Sequence, residues 1–86
     1  MSTRFINSVR VIIFVDDNSH HIGIKDNLHA KDTEDIIRDI MWKAKDVGYL
    51  VINKPNREEE GCFSFPFEKI LWVDVEPMSF ETEEDD

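Results

Sequence analysis

The sequence predicts an α+β fold in which one helix packs on a mostly antiparallel, curled sheet, with the element order β-β-α-β-β-β. Two observations lead to this prediction. One amphipathic segment, residues 32–48, carries signals for both ends of a helix. Five short segments rich in branched and aromatic residues flank it, and turn residues separate them. Residues 1–80 are therefore predicted to form one domain, and the acidic residues 81–86 a disordered tail.

The first two strands are predicted to form a hairpin. Residues 9–15 are apolar on both faces, which is typical of a central strand, and residues 1–8 are a predicted lead-in. The polar residues 16–19 form a turn by composition, and a second strand follows at residues 20–25. Gly23 inside this strand indicates a bulge or a close approach of another backbone.

The predicted helix has an N-cap at Asp32, acidic residues in its first turn and Gly48 after its last turn. At about 100° per residue, six apolar side chains share the face that is predicted to pack on the sheet: Ile36, Ile37, Ile40, Met41, Ala44 and Val47. Trp42 falls near the opposite side, beside Arg38. Either a loop or the tail covers this ring, or the ring is an anchor for another protein.

Three more strands are predicted after the helix, at residues 49–53, 62–65 and 70–75. Pro77 is expected to end the third of them, and Pro66 indicates that the second either ends there or lies at an edge of the sheet, because proline cannot donate a ladder hydrogen bond. With the first hairpin, these strands complete a five-stranded sheet.

The second face of this sheet has no helix to cover it. The first, third and last strands are apolar on both faces, whereas one helix covers one face only. Either the sheet curls and Met78 and Phe80 fold over this face, or a second copy of the chain covers it in a homodimer, or a different partner covers it. Trp72, in the last strand, is expected to be buried.

The charge is strongly negative and unevenly placed. The net charge is −9, and residues 55–86 carry eleven acidic and two basic side chains. Direct binding to nucleic acid is disfavoured, because phosphate contacts need many lysines and arginines. A protein with a basic surface is the natural complement of this charge.

The sequence predicts a cytoplasmic protein. No apolar run approaches the roughly 20 residues that span a bilayer, so no membrane partner is expected. The N-terminus lacks the charged-then-apolar pattern of a secretory signal. The single cysteine, Cys62, cannot form an internal disulfide, which is typical of a reducing compartment.

Catalytic, metal and cofactor sites are not predicted. His20 and His21 follow two aspartates, but adjacent strand residues point to opposite faces, so a solvated polar turn is expected instead of a metal site. Cys62 is predicted to be a small strand residue that is at least half-buried. The three glycines form no phosphate-binding loop. We therefore expect a protein that is not an enzyme.

The predicted function is a small, acidic, non-catalytic protein-interaction module. In size, charge and α+β pattern the chain resembles small acidic proteins of bacterial viruses, some of which inhibit CRISPR nucleases or restriction enzymes. That resemblance implies an inhibitor or adaptor that binds the basic, nucleic-acid-binding surface of a host protein as a nucleic-acid mimic. Two alternatives stay open: a small-ligand or metal-binding domain that uses the first hairpin, and a structural homodimer.

The predicted partner-binding residues combine one aromatic anchor and its arginine with two acidic clusters. They are Trp42, Arg38, Glu58, Glu59, Glu60, Glu81, Glu83, Glu84, Asp85 and Asp86. The acidic residues are expected to steer a basic partner, and Trp42 is expected to make the closest contact.

Overall fold

The computed structural model describes residues 2–54 and 61–84. Its elements are β1 (Ser2–Phe14), β2 (His20–Lys25), α1 (Thr33–Val47), β3 (Tyr49–Asn53), β4 (Cys62–Pro66), a 3₁₀ turn (Phe67–Lys69) and β5 (Trp72–Glu84). The strands form one antiparallel sheet with the order β4-β3-β2-β1-β5, and the sheet is not closed. The predicted α+β class and element order are confirmed. The described residues contain no helix that is both long enough and apolar enough to cross a membrane.

Both ends of α1 are set by local signals. The backbone N–H of Asp35 donates to Oδ1 of Asp32 at 2.9 Å, which satisfies one of the free donors at the start of the helix. Gly48 adopts a left-handed conformation with φ of 90°, and its N–H donates to the carbonyl of Ala44 at 2.8 Å. The helix therefore begins and ends where the sequence predicted.

The hydrophobic core lies between α1 and one face of the sheet, which we call the covered face. The helix contributes Ile36, Ile40 and Ala44. The strands contribute Ile6, Val9, Val11, Ile13, Leu50, Ile52, Val73 and Val75. Val47, which was predicted on the packed face, lies in the last turn, where it lines an open cleft with residues of β3 and is 57% exposed.

Gly23 marks a close approach of two backbones. A Cβ atom at this position would lie 2.8 Å from the carbonyl oxygen of Asn53 and 2.8 Å from a methyl group of Ile52. Any side chain larger than hydrogen would therefore push β3 away from β2. The close approach predicted from the sequence is confirmed.

β1 and β5 are longer than predicted, at thirteen residues each. Residues 2–6 pair with residues 80–84, so the predicted lead-in is wrong, and the predicted tail is wrong for residues 81–84. The pairing is favoured because Phe5 and Ile6 become buried. β5 continues through Pro77 because it is an edge strand, where only one side needs N–H donors. The register shifts between Ile6 and Val9 lie next to this proline.

The face of the sheet that lacks the helix, which we call the open face, carries Ile12, Phe14, Ile22 and Trp72. Trp72 was predicted to be buried, but it is 57% exposed. Alternation explains this correction: Val73 faces the core, so the adjacent Trp72 faces the other side, opposite Phe14. Met78 and Phe80 follow it by six and eight residues of extended strand, about 20–27 Å, so they do not cover its ring.

Candidate interaction surface

Trp42 lies on the side of α1 that faces away from the sheet, and 67% of its surface is exposed. No loop or tail in the described part of the chain seals the ring. A shallow depression of about 270 Å³ beside it is lined by Asp35, Arg38, Asp39 and Trp42. The spacing of these residues by three and four positions puts them on one side of the helix.

Arg38 is available to an external partner. Its Nη1 donates to Oδ1 of Asp35 at 3.4 Å, and both side chains are largely exposed. An exposed pair of this kind contributes little to stability. The guanidinium group can therefore exchange Asp35 for a carboxylate of another molecule without unfolding the helix.

A second and larger cleft, of about 520 Å³, lies at the start of α1. Asp35 and Asp39 line it as well as the depression beside Trp42, so the two concavities are neighbours along the helix. His29 lines its far side, where the imidazole stacks on Phe5 with ring centroids 3.9 Å apart. The same imidazole contacts the carboxylate of Glu81.

These neighbours form one continuous surface, which we call the helix surface. Its residues are Glu81, His29, Asp35, Arg38, Asp39 and Trp42. It brings the predicted pair of Trp42 and Arg38 together and places Glu81 at the opposite end. Asp35 and Asp39 were not among the predicted binding residues, although their helical spacing from Trp42 was visible in the sequence.

The other predicted acidic residues are not gathered on this surface by the described structure. Glu83 and Glu84 lie near the end of β5, in register with Thr3 and Ser2. Glu58, Glu59, Glu60, Asp85 and Asp86 lie outside the described residues.

The first hairpin separates its histidines. His20 is in register with Phe14 and His21 with Ile13, so the two imidazoles are on opposite faces of the sheet. The His21 ring packs against Phe65 with centroids 5.0 Å apart. Among residues 2–54 and 61–84, no three potential ligands are grouped as a metal ion requires.

Asp16 lies in the turn between β1 and β2. The N–H of Asn18 donates to Oδ1 of Asp16 at 2.8 Å and lowers the pKa of that carboxyl, which is how an aspartate stabilises a turn. Cys62 was predicted to be at least half-buried, but it is exposed. It begins β4, an edge strand of the described sheet, and lies on the exposed side of that strand, whereas the adjacent Phe63 is partly buried.

The helix surface thus offers an exposed indole, a guanidinium group and carboxylates, without a nucleophile and base in contact. No family model matches the chain, and no curated protein or solved structure matches it either.

Proposed function

We propose that the protein is a small, non-catalytic interaction module of the cytoplasm that binds a basic, nucleic-acid-binding surface of another protein. In this proposal it acts as an inhibitor or adaptor that mimics nucleic acid. Trp42 and Arg38 make the central contact, and carboxylates of the helix surface and the acidic segments steer the partner. The observation that carries the proposal is the exposed indole of Trp42 among Asp35 and Asp39.

The exposure of Trp42 needs a reason, because a domain of 86 residues has little apolar surface to spare. The core residues Ile36, Ile40 and Ala44 turn the helix so that Trp42 faces outward. Tryptophan and arginine are enriched among the few residues that dominate binding energy at protein interfaces. A partner that covers the indole would remove its apolar surface from water, and this burial would contribute favourably to the free energy of binding.

The negative charge supports a basic partner. Asp35 and Asp39 flank Trp42, and the net charge of the chain is −9. Such a field accelerates association with a positively charged surface. Because exposed charges are screened beyond about 10 Å at 0.1 M salt, the affinity should fall as salt rises.

Affinity capture from a bacterial lysate tests the proposal. The immobilised protein, its Trp42→Ala variant and its Trp72→Ala variant are compared at salt concentrations of ~50 and ~300 mM. We expect basic nucleic-acid-binding proteins to be retained at low salt and released by moderate salt or by added DNA. Trp42→Ala should lose them, whereas Trp72→Ala, which removes an equally large exposed ring from the open face, should keep them.

Two results would contradict this function. If Trp42→Ala retains the same proteins as the unchanged chain, Trp42 is not the anchor of the interaction. Retention that is insensitive to salt and DNA would eliminate the nucleic-acid mimic, because mimicry requires competition for the same cationic site.

A structural homodimer is the second candidate, and the open face favours it. Trp72 and Ile22 are 57% and 37% exposed there, beside the partly buried Phe14. Two copies that pack open face to open face would bury these side chains. Sedimentation at micromolar concentration tests this candidate: a dimer that Trp72→Asp dissociates supports it, and a monomer contradicts it.

A further inference from the structure

A third cleft, of about 400 Å³, lies between the last turns of α1 and β3. Four of the most exposed large apolar side chains of the described structure line it: Trp42, Val47, Tyr49 and Val51, which are 50–67% exposed. Its floor includes core residues of α1 and β3, and Lys25, at the end of β2, lies on its other side. The cleft therefore lies where the last turns of α1, the first residues of β3 and the end of β2 meet.

The cleft exists because β2 and β3 diverge. All five residues of β3 are in register with β4, whereas within the described residues Asn53 alone is in register with β2, opposite Ile24. Beyond Lys25 the chain turns toward β1, where the N–H of Leu28 donates to the carbonyl of Asn7 at 2.7 Å. Among residues 2–54 and 61–84, no strand therefore pairs with most of the β3 edge that faces the cleft.

The hydrogen-bonding direction of β3 follows from contacts at its two ends. The N–H of Phe67 donates to the carbonyl of Gly48, and the N–H of Lys54 donates to that of Gly61. In an antiparallel ladder alternate residues point to the same side, so even-numbered residues of β3 bond to β4. The N–H and C=O groups of Tyr49 and Val51 therefore point toward the cleft, as those of Asn53 point toward β2.

The same geometry explains Pro66. It is in register with Tyr49, at a position where neither residue bonds to the other strand, so its missing N–H removes no ladder hydrogen bond. The outer edges of the sheet, by contrast, are protected against added strands. β4 is short and ends in proline, and β5 carries Pro77 and several acidic residues. The edge of β3 that faces the cleft has neither proline nor acidic residues at the positions whose backbone groups point outward, which are Tyr49 and Val51.

The charged residues of the cleft favour a peptide that carries a carboxylate. Lys25, Lys43 and Asp46 line it, so the cleft carries one positive charge more than negative in a chain whose net charge is −9. Lys25 is half-buried; burial lowers the pKa of its amine, Asp39 opposes this change and Lys43 adds to it. A carboxylate placed between the two lysines would compensate both burial and repulsion.

We propose that this cleft binds a short extended peptide segment of another protein, which adds to β3 as a strand. The segment has apolar side chains that contact Trp42, Val47 and Val51, and a carboxylate that meets Lys25 and Lys43. Tyr49 and Val51 supply two donors and two acceptors, enough to hold about three residues of extended chain. This site shares Trp42 with the helix surface, but Lys43, Tyr49 and Val51 lie outside that surface, so the tests below use these three residues instead of Trp42.

Amide hydrogen exchange of the free protein is the first test. Leu50 and Ile52 should exchange slowly because they bond to β4, whereas Tyr49 and Val51 should exchange rapidly. Slow exchange at all four amides in dilute protein would show that the chain itself closes this edge, and would overturn the proposal. Protection of Tyr49 and Val51 that grows with protein concentration would assign the edge to a second copy, and would also overturn it.

Capped synthetic pentapeptides are the second test. The probe is Val-Glu-Val-Glu-Val, and its controls are Val-Lys-Val-Lys-Val and a Val-Glu-Val-Glu-Val peptide that is N-methylated at its three central residues. We expect the probe to shift the amide resonances of Tyr49 and Val51 and to slow their exchange. N-methylation should weaken binding by about thirtyfold, because about two hydrogen bonds of ~1 kcal/mol each are lost or blocked and ~1.4 kcal/mol corresponds to a factor of ten. Equal binding of the methylated peptide would contradict strand addition.

A charge swap with a matched control tests the lysines. Lys43→Glu should weaken binding of the glutamate peptide by about two- to fivefold, the size of an exposed ion pair, and should improve binding of the lysine peptide. Lys45→Glu makes the same change on the same helix at a residue outside the cleft, and should have the smaller effect. Equal effects of the two substitutions would show that only net charge matters, and would overturn the assignment of the carboxylate to this cleft.

Discussion

Both faces of the sheet carry large apolar side chains, but these side chains are buried on the covered face and more exposed on the open face. On the covered face, Val9, Val11 and Ile13 are 0–1% exposed and pack against α1. On the open face, Ile22 and Trp72 are 37% and 57% exposed, and the nearby Arg10 and Glu76 form an exposed ion pair at 3.5 Å. The hydrophobic contribution to stability therefore comes mainly from the covered face. The difference shows that an apolar pattern identifies a strand, but not which of its faces is buried.

The largest effect that separates the two faces should come from truncating a core isoleucine. Ile40→Ala removes a side chain that is 1% exposed, and we expect a loss of about 2–5 kcal/mol in the free energy of unfolding. Ile22→Ala makes the same change on the open face and should cost less than about 1 kcal/mol. Urea unfolding followed by circular dichroism measures both. Equal losses would mean that the open face is also covered.

The next effect should come from Gly23, where the covered face has no room. Gly23→Ala places a methyl group against Ile52 and the carbonyl of Asn53, and we expect a loss of about 1–3 kcal/mol as the strands separate. His20→Ala, in the same strand but exposed, is the control. If Gly23→Ala is as stable as the control, β2 and β3 do not approach each other closely enough at this residue to exclude a methyl group.

The helix cap should have a smaller effect. Asp32→Ala removes the acceptor for the N–H of Asp35 and should lower the free energy of unfolding by about 1 kcal/mol. Asp32→Ser retains an acceptor and should recover most of this loss. Thermal unfolding of the three proteins gives the comparison, and a serine variant no better than alanine would argue against the cap.

The smallest effect should be the pH dependence of stability that arises from Asp16, in the turn between β1 and β2. The pKa of Asp16 is lowered in the folded protein, chiefly by the N–H of Asn18, so folding favours its ionised form. The contribution of Asp16 to the free energy of unfolding is complete above the ordinary aspartate pKa. It is lost as the pH falls through the lowered pKa that Asp16 has in the folded protein. Asp16→Asn keeps an acceptor without this titration. Between about pH 5 and pH 2, the unchanged protein should lose slightly more stability than the variant.

Local signals allowed the helix and the first hairpin to be predicted from sequence. Asp32 and Gly48 act within one turn of their own positions, and β2 has the predicted bounds because turn residues precede it. The outward position of Trp42 follows from helical periodicity alone. These features depend on few long-range contacts.

The errors arose where distant segments pair. The first residues of β1 and the last of β5 become strands because they pair with each other across more than seventy positions of sequence. Trp72 was expected in the core because the sequence does not tell which face of β5 meets α1. The cleft beside Tyr49 results from the divergence of β2 and β3, which no local pattern encodes.

The central claim is that Trp42, and not Trp72, contacts the partner. Single-tryptophan variants, Trp72→Phe and Trp42→Phe, allow each indole to be followed by acrylamide quenching of its fluorescence, with and without a basic protein captured by the unchanged chain. In the free protein both indoles should be readily quenched, because both are more than half exposed. With the partner bound, Trp42 should become protected while Trp72 stays accessible. An unprotected Trp42 in the complex, or protection of Trp72 instead, would contradict the account.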